Sequence, residues 1–178
     1  MKLAGAKAVA YFAKPDPTHA GVLIYGGDNM RVALRRQELI KSLVGDKAEE
    51  EMRLTRMSGA DVRKTPALVI DGLKAVGFFP GSRVVFIEEA TDAIAPAIIA
   101  ALSEWKTGDA TLVITGGQLN ARSKLRKAME DPRNTIAIGI YNDPPSADEI
   151  MSLAAKVKLT QFDGAAKGVP IRGIALAM

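Results

Sequence analysis

At 178 residues, with 48% hydrophobic and 25% charged positions, the chain has room for one ordinary globular domain, or one domain and part of a second. It has no cysteine, which excludes disulfides, thiol catalysis and cysteine-ligated zinc; its one histidine, His19, lies in a Pro-rich polar stretch and reads as a solvated loop residue, which excludes a histidine-pair metal site. The formal charge of +4 is mild, no apolar run approaches bilayer length, and the start of the chain lacks a signal-peptide core, so the expected location is cytoplasmic, away from membranes.

A helix is predicted over residues 4–13, ended by Lys14-Pro15-Asp16-Pro17. The continuous apolar run Val22-Leu23-Ile24-Tyr25 reads as a strand buried on both faces. Gly26-Gly27-Asp28-Asn29 turns the chain, with Asp28 or Asn29 placed to cap a helix over about 30–44. Met30, Ala33, Leu34, Ile40 and Val44 are its predicted buried stripe. Alternation over 52–57 suggests a half-exposed strand near a sheet edge. Thr65-Pro66 opens another helix, with Val69, Ile70, Leu73 and Val76 as the buried stripe.

An apolar strand follows over 83–88, then a helix over 94–105 with Pro96 in its first turn, then a strand over 111–115. A basic helix over 121–129 and a strand over 135–141 complete the alternation, which argues for a parallel sheet sandwiched by helices. Asn142-Asp143-Pro144-Pro145 marks a boundary, and Ser146 caps a further helix to about residue 158. Beyond it Gly164, Gly168, Pro170 and Gly173 recur too often for a helix.

A phosphate loop needs Gly-x-x-x-x-Gly-Lys-Ser/Thr after the first strand. Here Gly26 and Gly27 lead into Asp28-Asn29-Met30-Arg31, without lysine or hydroxyl, and Asp28 would repel phosphate. Glu88 and Glu89 after Val85-Phe86-Ile87 resemble a Walker B element, whose acids hold magnesium. With no phosphate loop to share the ion, they read as solvated strand-end acids, and the region reads as a degenerate nucleotide site. Arg122, Lys124, Arg126 and Lys127 form a stripe that could meet phosphate, or simply a solvated helix face.

Phe78 and Phe79 stand between Gly77 and Pro80-Gly81, in a turn. If Val76 ends the helix, Gly77 takes a left-handed cap and Phe78 packs back over Leu73. Phe79 is left without an obvious place, and exposed aromatic side chains are typical interface anchors. Burial of the pair and presentation to a partner both remain open on the residues alone.

The run Leu73-Lys74-Ala75-Val76-Gly77-Phe78-Phe79-Pro80-Gly81-Ser82-Arg83-Val84-Val85 resembles the delta subunit of the bacterial DNA polymerase III clamp loader. That family has an apolar helix, a small residue, a bulky pair usually ending in Phe, a short polar turn with Arg, and an apolar strand. Leu23-Ile24-Tyr25-Gly26, Ser58-Gly59-Ala60-Asp61 and Leu125-Arg126-Lys127 match in order, so the likeness spans roughly residues 3–158. The resemblance implies an AAA+-like first domain over 1–143, with a P-loop NTPase-type parallel sheet of about five strands flanked by helices and no working ATP site. Residues 144–178 would begin a helical second domain, cut short at Met178 and without the family's collar domain.

By the same resemblance Phe78 and Phe79 bind a pocket of the sliding clamp and spring open one interface of its ring. Phe79 is the expected outer anchor. No catalysis, cofactor or metal is implied for this chain; ATP hydrolysis falls to companion subunits. The implied partners are the clamp, other loader subunits and primed DNA, reached within the assembly through Arg122, Lys124, Arg126 and Lys127. The rival readings are an NTPase of the same fold and a free-standing DNA-binding protein.

Overall fold

Val22-Leu23-Ile24-Tyr25 lies in the sheet interior, where side chains alternate between two apolar layers. Its strand, β2 (Gly21–Gly26), is buried throughout. Val22 and Ile24 pack on one face with Val84, Phe86 and Ile138, whereas Leu23 and Tyr25 pack on the other with Val85, Ile87 and Leu112. Period-two alternation therefore feeds two cores at once, which is why the strand reads as an unbroken apolar run. Each such Leu or Ile removed from water is worth about 1.5–3 kcal/mol.

The computed structural model describes residues 1–141 and Met151. The chain divides into two compact units, Met1–Asn142 and Asp143–Met178. The helix expected over 146–158 and the Gly-rich tail lie outside the described residues, Met151 excepted, which is helical.

In chain order the elements are β1 (Lys2–Leu3), α1 (Gly5–Ala13), β2, α2 (Asn29–Val44), β3 (Leu54–Ser58), α3 (Gly59–Lys64), α4 (Ala67–Lys74) and β4 (Val84–Ala90). A 3-10 turn at Asp92–Ile94 leads into α5 (Ala95–Glu104), followed by β5 (Thr111–Gly116), α6 (Lys124–Glu130) and β6 (Thr135–Ile140). The strands form one parallel sheet in the order β1-β6-β2-β5-β4-β3. Residues of α1 and α2 line one core, and residues of α3 to α6 line the other.

Among the described residues the sheet has six strands, where about five were expected. The extra one, β1, is two residues long, too short for any periodicity to reveal, and pairs with β6 through Lys2↔Ala137 and Leu3↔Ile138. It is anchored by the Met1 ammonium, which donates to the Glu130 and Thr135 carbonyls at 2.7 and 2.8 Å. Helix α3 is also additional. Its signal is a capping box: Asp61 N donates to the Ser58 hydroxyl, and the Asp61 carboxylate accepts from the Ser58 amide.

The buried face of α2 differs from the expected stripe. Val32, Leu39, Ile40 and Val44 are inside, whereas Met30 is 83% exposed and Ala33 and Leu34 also face solvent. Arg35 is buried as well, its guanidinium 5.6 Å from the centre of the Phe12 ring and 2.8 Å from Glu38. Arg36 lies similarly over Phe86 at 5.0 Å. Ile40 and Val44 are buried as expected; long arginine stems cover apolar surface while their heads stay polar, which a stripe built only from apolar letters misses at the start of the helix. His19 is half-buried rather than solvated, with Nδ1 2.9 Å from the Tyr11 hydroxyl.

Candidate functional site

Helix α4 stops two residues before the apolar spacing predicts. Lys74 is its last residue, and Ala75 breaks it at φ −54°, ψ 132°. Val69 and Leu73 are buried as expected, but Val76 is 96% exposed. Gly77 takes no positive φ, so the left-handed cap that would fold Phe78 over Leu73 does not form. Phe78 is 92% exposed and Phe79 38%. Phe78, not Phe79, is the more exposed ring, the reverse of the expected order. The two rings meet edge to face, with centroids 5.3 Å apart and planes at 79°.

The loop between α4 and β4 is held by polar bonds at both ends. Lys74 Nζ donates at 2.6 Å to both the Glu104 carbonyl and the Asp109 carboxylate. The Leu73 carbonyl accepts from Ala110 N at 3.0 Å. At the far end Arg83 donates to the Gly108 carbonyl at 3.1 Å, and Arg53 donates to the Ser82 carbonyl at 3.1 Å. A Cβ on Gly77 would sit 3.0 Å from Arg83 Cδ, so the chain crosses tightly over the arginine stem. Burial opposes the charge on Asp109, but the Lys74 ammonium and the Lys106 amide outweigh it and hold its pKa below the ordinary carboxylate range. These supports were not legible beforehand, because Lys74 and Asp109 are 35 positions apart.

At the opposite, C-terminal edge of the sheet, Gly26, Gly27, Glu88 and Glu89 gather around the start of α2. Only Gly27 and Asp28 separate β2 from α2. The Gly26 amide is spent on the Gly117 carbonyl at 3.1 Å, and the Asp28 carboxylate accepts from Arg31 N at 3.0 Å. A phosphate at this helix N-terminus would have to displace a carboxylate already there. Gly26 is required by close approach, since a Cβ would lie 2.2 Å from the Ile140 carbonyl oxygen.

Glu88 and Glu89 are exposed, on an irregularity that shifts the β4–β5 register between Ile87 and Ala90. Glu89 has φ 53°, rare for a residue with a side chain. Both acids line a cleft of about 270 Å³ with Asn29, Arg36 and Thr115. Gly26 and Gly27 line a separate cleft of about 480 Å³ with Tyr25, Asn120 and Tyr141. The two halves of the expected degenerate nucleotide site thus line different clefts. Burial pushes the pKa of the Tyr25 hydroxyl up, and the neighbouring Tyr141 hydroxyl adds to the shift.

The basic stripe is only partly available. Helix α6 starts at Lys124, capped by Ser123, whose hydroxyl donates to Asp92 and accepts from Arg126 N. The Ser123 hydroxyl, with the Leu125 amide, holds the Asp92 pKa down. Arg122, Lys124 and Lys127 are exposed. Arg126 is instead tied to Glu130 at 2.7 Å and lies 5.3 Å from the centre of the Tyr25 ring.

No protein-family model matches the chain, and no curated protein sequence matches it. Among solved structures, the Bacillus subtilis DNA clamp loader delta protein YqeN superposes with a TM-score of 0.57 at 14% identity, covering 86% of this chain and 46% of that one. A DNA polymerase III gamma subunit-related protein from Thermotoga maritima gives 0.48 at 16% identity, over 80% and 49% of the two chains. A point variant of Thermotoga maritima RuvB gives 0.43 at 15%, over 85% and 48%. The chain spans about half the length of these structures. It shares its fold, a parallel sheet flanked by helices, with the first of these structures. Among the described residues no helix is long and apolar enough to cross a membrane.

Proposed function

We propose that this chain is a cytoplasmic clamp-loader subunit of the delta type, which binds a bacterial sliding clamp through Phe78 and Phe79 and helps to open it for loading on primed DNA. One observation carries the reading: two adjacent phenylalanines are held out from a tethered loop on a fold shared with a clamp-loader delta protein. Two exposed rings in contact are costly to leave wet and suited to an apolar pocket. The chemistry is binding energy used to distort the ring, with no bond made or broken. In this reading residues 144–178 begin a second, helical domain, and other loader subunits supply ATP hydrolysis.

The test is the affinity of the whole chain for a purified sliding clamp, with and without Phe78→Ala and Phe79→Ala. Loss of at least about thirty-fold is expected for the double variant, the size of a hot-spot pair; equal affinity removes the rings from the site. Arg122, Lys124 and Lys127 are proposed to contact DNA only within the assembly. Tight, steeply salt-dependent DNA binding by the chain alone would favour the free-standing DNA-binding reading instead. Magnesium-dependent ATP binding would favour the NTPase reading, against which Asp28 at the α2 N-terminus speaks.

A further inference from the structure

The loop that carries the rings makes tether bonds at both ends to one short stretch of chain, the turn between α5 and β5. At its start, Lys74 bonds the Glu104 carbonyl and Asp109, and Leu73 bonds Ala110. At its end, Arg83 bonds the Gly108 carbonyl through its guanidinium and Thr111 N through its own carbonyl. The turn closes on itself around Asp109. The Asp109 carboxylate accepts from Lys106 N at 2.8 Å, Asp109 N donates to the Lys106 carbonyl, and Trp105 Nε1 donates to the Ala110 carbonyl at 3.0 Å.

Asp109 therefore both shapes the turn and grips the loop. Its side chain is 17% exposed and that of Lys74 35%, so water screens this pair less than an open surface bridge. The rings themselves are not fixed by burial: Phe78 touches mainly solvent and its neighbour. Their orientation has to come from the backbone beneath them. A loop ordered before docking loses less freedom on binding, so groups that order it raise affinity without touching the partner.

We infer that Asp109 is a positioning residue for Phe78 and Phe79: through Lys74 and the Gly108 turn it fixes both ends of the loop in the conformation the clamp receives. This rests on the reading of the rings as the clamp contact, and the experiment separates the two. Backbone hydrogen exchange of the Ala110 and Thr111 amides, which bond the two ends of the loop, is measured in the free chain, and clamp affinity is measured alongside. In Asp109→Asn these tether amides exchange about ten-fold faster, while the central strand β2 keeps its protection. Clamp affinity falls about five-fold, and Lys74→Met gives the same loss from the other side of the bridge. The double variant loses less than the two single losses combined, because the two side chains share the Lys74–Asp109 contact.

Additive losses, or unaltered exchange of the tether amides in both single variants, overturn the inference. So does a further affinity loss from Asp109→Asn in a chain already carrying Phe78→Ala and Phe79→Ala, since Asp109 would then touch the clamp itself. Should Asp109→Asn not fold, Lys74→Met alone decides by the same two readings. Should the unaltered chain not bind the clamp, the proposed function fails while the exchange measurement still decides the tether.

Discussion

The two edges of the sheet are finished in opposite ways. At the C-terminal edge, where open parallel sheets usually receive ligands, Gly26 bonds Gly117, Asp28 caps α2, and Gly26 is pressed against Ile140. At the N-terminal edge, Arg53, Lys74, Arg83 and Asp109 brace a loop whose two largest side chains stand in water. The first edge spends its polar groups on itself; the second spends them on presenting an apolar tip. In the proposed reading, a fold whose C-terminal edge suits small molecules carries its protein-docking element at the other edge. The exposed groups, more than the topology, indicate which edge works.

The largest effect separating buried from presented aromatics is expected at Phe86, a core residue whose ring centre lies 5.0 Å from the Arg36 guanidinium and 5.8 Å from that of Arg56. Phe86→Ala should lower unfolding free energy by roughly 3–5 kcal/mol in a denaturant titration. At the closed edge, Gly26→Ala should cost roughly 2–4 kcal/mol, since a Cβ cannot fit beside the Ile140 carbonyl. A neutral result would mean that this edge is looser than its contacts indicate. Asp28→Ala removes the α2 cap and should cost about 1 kcal/mol.

Acid should act on both sides of the sheet through Asp109 and Asp92. Their folded pKa values are lowered, so the stability they contribute is complete above the unfolded-state value of about 4 and is lost as pH falls through the lower folded values. A melting temperature that declines less on acidification in Asp109→Asn checks the sign. The smallest effect belongs to the rings. Phe78→Ala should change stability by no more than about 0.5 kcal/mol, despite replacing the same residue type as Phe86→Ala. A large loss there would show that Phe78 is structural and collapse the contrast between the edges.

What could be read in advance follows from how local each signal is. The runs at Val22, Val84, Leu112 and Ile136 announce themselves because both faces of those strands are buried. The order of exposure of Phe78 and Phe79 is not local. It depends on α4 ending at Lys74, whose side chain is engaged by Glu104 and Asp109 far along the chain. Val76 continues the apolar spacing and hides that stop. The surroundings of Arg126 were hidden for a related reason: its spacing suits a basic stripe, while its contacts, Glu130 and Tyr25, lie one near in sequence and one distant.

The parallel topology also bears on how the molecule is made. β2 sits between β5 and β6, with Gly21 opposite Leu112 on one side and Thr135 on the other. During synthesis Val22-Leu23-Ile24-Tyr25 emerges early, yet both of its neighbours emerge last among the strands described. Long loops must close before any pairing rewards them, which makes folding slow. For most of the domain's synthesis this apolar stretch has no strand to join, an aggregation-prone interval during which the nascent chain benefits from chaperone cover.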